Sequence, residues 1–209
     1  MTRNSRPAGG AVDGESEEEL RRRAADGVEA LIRLSGYDPA APLYRAAPRS
    51  AVAAFTELAA RPDPAEAAAI LTPDVDAGPR VTVVEAGPEP VLLVCPAHLL
   101  PYRAQVWIAH RPGPDGTPVT SQQLTELARH LGRGIVSGQW VTQAITHTLG
   151  HLAGIGAACC VTVPYGQGCP ACPPSLLDVH TTGIYREIPE VTSRFLAWVQ
   201  GEDPGESPG

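Results

Sequence analysis

The sequence holds no apolar run of the length that crosses a bilayer, so no membrane-spanning helix is expected. It has no stripe of basic residues beside aromatics, and the formal net charge is -7, which leaves nucleic-acid binding without an electrostatic footprint. Cysteine is scarce, five in 209 residues, and a chain of that length buries enough surface to fold without a disulfide framework. No internal repeat is present. The first 19 residues lack the apolar core of a signal peptide and end acidic, so the expected compartment is the cytoplasm. There the cysteines read as thiols or metal ligands.

What is present reads as a globular protein, with 43% hydrophobic and 19% charged residues. Residues 1–16 and 201–209 are small and polar and are expected to be disordered tails. Helical periodicity runs over 17–35, with Leu20, Ala24, Val28, Leu31 and Ile32 on one stripe and Gly36 as the stop. A second helix is expected over 50–60, burying Val52, Phe55 and Leu58 or their neighbours, and a short third over 65–71. The texture then changes to strands over 80–85 and 90–94, split by a Gly-Pro turn, and a third over 104–109. A turn at 113–118 leads to two helices, 121–131 and 137–153, the second with Val141, Ile145, Thr148, Leu149 and Leu152 inward. Strands over 157–163 and from 181 to 185 and a closing helix over 190–199 complete the chain. The expected class is α+β, with antiparallel hairpins framing a helical pair: a helical region over 17–75, then one domain over 76–200.

Two segments repeat one pattern, Cys95-Pro96-Ala97-His98 and Cys169-Pro170-Ala171-Cys172. Each puts two soft ligands three residues apart, so both reach one ion from a tight turn, while the long gap between segments excludes a zinc finger. The competing reading makes these cysteines small buried hydrophobes and His98 a core histidine. Cys159 and Cys160 are adjacent in a strand, point to opposite faces and are expected to pack. His147 and His151 share a helix face without an acidic or Cys partner nearby, and His110, His130 and His180 stand alone.

With their flanks, these segments resemble the GTP cyclohydrolase I family. Cys95-Pro96-Ala97-His98-Leu99-Leu100-Pro101-Tyr102 is similar to its Cys-Glu-His-His-Leu-Leu-Pro-Phe, Gln139-Trp140-Val141-Thr142 to its Glu-Arg-Leu-Thr, and Gly183-Ile184-Tyr185 to its closing Gly-x-Phe. Gly36-Tyr37-Asp38-Pro39 resembles the turn after its entry helix, so the similarity spans roughly residues 20–199. The resemblance implies the tunnelling fold, which pairs antiparallel strands with helices and assembles into rings, commonly a decamer. It also implies zinc held by Cys95, His98 and Cys169 around an open fourth position, where a bound water becomes a nucleophile.

The departures fall on the other functional positions. The family's catalytic His beside the zinc His is Ala97, its Glu beside the first Cys is Pro96, and its His before the second Cys is Gln167. Its phosphate-binding cations fall on Ser50, Gln123, Glu126 and Pro173. Losing them, at roughly 1.5–3 kcal/mol per charged hydrogen bond, removes micromolar affinity for a triphosphate several times over. GTP is therefore not the expected substrate. The purine-anchoring Glu falls on Gln139, whose acceptor and donor suit an adjacent ring NH and C=O. Gln139 and Gln123 stand as substrate-binding candidates.

Two functions follow. One is a zinc-dependent hydrolase or cyclase acting on a non-triphosphate, heterocyclic small molecule, with Gln167, Cys172, Tyr102 and His180 as catalytic candidates. The other is a non-catalytic scaffold or regulatory subunit, in which Cys172 closes a structural Cys₃His site. A homo-oligomer is expected in either case, because a sheet of this kind leaves edge strands.

Overall fold

A computed structural model describes residues 15–71, 83–113, 119–151, 154–172 and 177–201. The chain divides into two compact units, Met1–Leu58 and Ala59–Gly209. In the first unit, α1 (Glu17–Leu34) starts at Ser16, whose hydroxyl accepts from Glu19 N–H, with Glu17, Glu18 and Glu19 in the first turn. An N-cap oxygen satisfies an orphan amide, and acidic residues complement the positive helix end. α2 (Ala47–Leu58) begins three residues before the expected 50, and only Pro48 is buried on it. Phe55 is 36% exposed, so the burial expected of it is not observed.

The second unit opens with α3 (Pro64–Ile70), capped by Asp63 and started by proline at its first turn. Four strands follow: β1 (Val84–Val94), β2 (Pro101–Pro112), β3 (Gly154–Thr162) and β4 (Leu177–Gly183). They form one antiparallel sheet in the order β1-β2-β3-β4. Between β2 and β3 lie α4 (Ser121–Leu131) and α5 (Gly138–Gly150); α6 (Ile184–Glu187) and α7 (Pro189–Gln200) close the chain. The arrangement is thus two hairpins framing a helical pair.

Three expectations are corrected. The two short strands around the Gly-Pro turn are one strand, with a register shift between Ala86 and Glu89. A bulge absorbs the extra residues without ending the ladder. Gly87 sits there at φ 136, where a Cβ would press on Val106 O and Trp107 Cα. β4 starts at Leu177 rather than 181, and residues 184 and 185 belong to α6. α5 starts at Gly138, with Ser137 as its cap. The expected turn over 113–118, the inward position of Leu152 and most of both tails lie outside the described residues.

Strand alternation gives each face its own core. On one face, Leu93, Val106, Ile108, Cys159 and Val161 pack with Leu124 and Leu127 of α4 and Val141, Ile145 and Leu149 of α5. On the other, Ala109, Ala158 and Cys160 meet Tyr185, Phe195 and Val199. Cys159 and Cys160 therefore point to opposite faces and serve packing, as expected. Trp107 and Trp198 meet edge to face at 5.0 Å. Among the described residues no helix is long and apolar enough to cross a membrane.

Candidate metal centre

The end of β1, the start of β2, the N-terminus of α5, the end of β3 and the start of β4 all meet at one end of the sheet. The loop after β1 is pinned by two main-chain bonds, Cys95 N to Leu100 O at 2.9 Å and Leu99 N to Cys95 O at 2.8 Å. Leu99 takes φ 55, left-handed backbone that non-glycine residues seldom adopt. That twist turns His98 back toward Cys95. In the second loop, Cys172 N bonds to Cys169 O at 3.0 Å, which brings both sulfurs to one side. Arg103 N donates to Gln167 O at 3.0 Å and ties this loop to β2.

The four ligand atoms of Cys95, His98, Cys169 and Cys172 lie within 4.8 Å of one another. Cys95 Sγ is 3.6 Å from Cys172 Sγ and 3.7 Å from His98 Nδ1. Cys169 Sγ and Cys172 Sγ are 3.7 and 3.4 Å from the same nitrogen. A tetrahedral centre with metal–sulfur bonds of about 2.3 Å and a metal–nitrogen bond of about 2.0–2.1 Å has edges of about 3.8 Å between sulfurs and about 3.6 Å from sulfur to nitrogen. The four edges given above lie within about 0.2 Å of those values. A disulfide would need about 2.05 Å, and all five cysteines are free. The donor set therefore fits a metal ion as a Cys₃His site.

The electrostatics split the thiols. Burial opposes ionisation of Cys95, but the amides of Ala97 and His98, the His98 ring and the Cys172 thiol donate to its sulfur and bring it down to about 6. Cys172 is pushed up to about 11, first by the hydrogen bond its thiol donates to Cys95 and then by burial. Cys95 is buried, Cys169 is 9% exposed, Cys172 is half-buried and His98 is exposed.

A cavity of about 610 Å³ adjoins the centre, with Cys95, Cys169 and Cys172 on one wall and Tyr102, Ser137, Gly138, Gln139 and Asp178 on others. Burial, and then the charges of Cys95 and Asp178, push Tyr102 up to about 12, so it faces the cavity as a hydrogen-bond donor. Gln139 is exposed and lines the cavity. The other expected residues lie elsewhere. Gln123 completes the α4 capping box with Thr120 and donates to Ile70 O at 3.2 Å. Gln167 contributes its main chain to the loop, and its side chain is not among those lining the cavity. His180 lies 2.6 Å from Thr146 Oγ1, with its ring 5.7 Å from that of His147, and it too is away from the cavity.

Sequence reasoning missed Asp178, Ser137 and Gly138. The signal for Asp178 was the alternation of β4, which puts it on one face with His180, two residues on.

Fold and site together define a mixed α+β protein with a four-stranded antiparallel sheet and a Cys₃His cluster at one sheet end. Compared with known proteins, the chain matches no family model and no curated protein.

Proposed function

We propose that this chain is a divergent relative of GTP cyclohydrolase I, built on the tunnelling fold, in which zinc is held by four protein ligands beside a small-molecule cavity. The position of Cys172 carries this reading. Its sulfur lies 3.6 Å from Cys95 Sγ and 3.4 Å from His98 Nδ1, at the corner an open catalytic site would leave to water. Three sulfurs and one imidazole in a tetrahedron suit Zn²⁺ over harder cations. The order of hairpin, helical pair and hairpin supports the tunnelling fold. The exposure of Leu99 (50%), Trp140 (39%) and Tyr165 (100%) supports assembly with further copies in a ring. On this reading the metal is structural, and the protein is a binding or regulatory member of its class.

X-ray absorption at the zinc edge of the purified chain tests it. Three sulfurs and one nitrogen at about 2.3 and 2.0–2.1 Å are expected. Two sulfurs, one nitrogen and a light oxygen would overturn the closed site. Cys172→Ala is expected to lower zinc affinity; full retention would favour an open position.

The second reading is a zinc-dependent hydrolase or cyclase for a substrate that is not a triphosphate. It is favoured by the cavity, onto which the half-buried Cys172 opens. Zinc with Cys172 displaced would supply Lewis-acid chemistry. Tyr102 would donate a hydrogen bond and Asp178 would hold or release a proton beside it. Conversion of GTP at an ordinary enzymatic rate would refute the absence of a triphosphate site, on which both readings stand.

A further inference from the structure

Asp178 stands on β4, against the first turn of α5. A Cβ added to Gly138 would collide with Asp178 Oδ2, so the glycine lets the carboxylate rest where it does and a larger residue there would push it aside. Asp178 accepts no hydrogen bond from any described residue, although it is half-buried and lines the cavity. Burial raises its pKa, and among the described residues no cation offsets that cost.

No Lys, Arg or His lines this cavity among the described residues. A dication held by three thiolates and a neutral imidazole would carry one net negative charge, and none with Cys172 displaced, so in neither case would the neighbouring centre offset the carboxylate. An anion entering here meets the Asp178 carboxylate and, among the described lining residues, no compensating cation. A cation meets the reverse. The remaining walls include Val161, Val163 and Pro164, an apolar surface that suits a flat ring.

We propose that the cavity binds a planar cation of the amidinium or guanidinium class, with paired N–H groups directed to the Asp178 carboxylate. Two parallel donors match two carboxylate oxygens in one plane, a geometry an ammonium lacks. Gln139 and Ser137 lie on the same cavity wall and offer acceptor oxygens to a second donor edge. The proposal deepens the cavity half of the function above and does not depend on how many ligands the zinc has.

The test is calorimetric titration of the zinc-loaded full chain with benzamidine, benzamide and benzoate. Benzamidine is expected to bind at one site per chain, at least about tenfold tighter than its neutral isostere benzamide, with no detectable benzoate binding. Asp178→Asn is expected to abolish the preference for benzamidine over benzamide. Gly138→Ala, which displaces the carboxylate while keeping it in the chain, is expected to weaken benzamidine binding by a similar factor. Zinc content and melting temperature of each variant, measured in parallel, separate misfolding from loss of the subsite. Benzoate binding as tight as benzamidine, or an unchanged preference in a folded Asp178→Asn variant, would overturn the proposal. Absorption spectroscopy reads the zinc separately, so a wrong ligand count there leaves this result standing.

Discussion

His110 sits in β2 on the helix-covered face, fully buried, with neither ring nitrogen hydrogen-bonded among the described residues. Desolvation lowers its pKa to about 4; the nearby Gly156 main chain opposes the shift without making a bond of good geometry. An imidazole kept neutral in the fold but free to charge when unfolded couples stability to pH. Above the unfolded value of about 6.5 the two states bind protons alike; as pH falls toward 4 the unfolded state takes up the proton first, and stability drops by up to about 3 kcal/mol. Urea unfolding at pH 7.5 and pH 5 should show about 2 kcal/mol of that loss, and His110→Phe should remove most of it. An identical pH slope in the variant would place the coupling elsewhere. The four ligands show what was legible at this scale. Cys95 with His98, and Cys169 with Cys172, declare themselves because each pair is local in sequence. Asp178 did not, because the glycine that makes room for it lies 40 residues earlier, and no local pattern records that meeting.

Elements were legible where their ends carry chemistry. α4 matches its expected bounds because Thr120 and Gln123 form a capping box and the apolar stripe is strict. β1 was split in expectation because Gly87-Pro88 is a strong turn signal, yet the partner strand β2 tolerates the bulge. The two ligand loops are the least regular parts of the site, held by a few main-chain bonds and, on the proposed reading, braced by a shared ion. Three thiols held within 4.8 Å repel one another once ionised, so removing the metal should loosen both loops. The rest should hold, since the core of Leu93, Val106, Leu124, Val141 and Ile145 involves no ligand. Hydrogen exchange before and after chelation should show faster exchange over 95–100 and 165–172, with β2 and α4 unchanged. Protection lost throughout β2 and α4 would mean that the ion supports the whole unit.

At the scale of the molecule, the sequence displayed its class. The change from helical periodicity to strand alternation foretold an α+β body, and the hairpin, helix pair and hairpin order follows from it. The boundary between compact units falls between Leu58 and Ala59, so α3 goes with the sheet although its sequence resembles the helices before it. The reason is packing: Ala67 is 1% exposed in the core shared with α4 and the sheet, whereas α1 has no buried residue. Both hydrophobic clusters of the second unit draw every buried member from residues after 59. A chain beginning at Ala59 should therefore fold by itself and bind one zinc per chain. Its melting temperature should lie within about 4 °C of the full chain, the shift expected for about 1 kcal/mol in a domain of this size. Thermal melts and zinc analysis of the two chains side by side decide the point. Aggregation of the shorter chain, or loss of its zinc, would show that the helical unit contributes to the fold of the sheet unit rather than accompanying it.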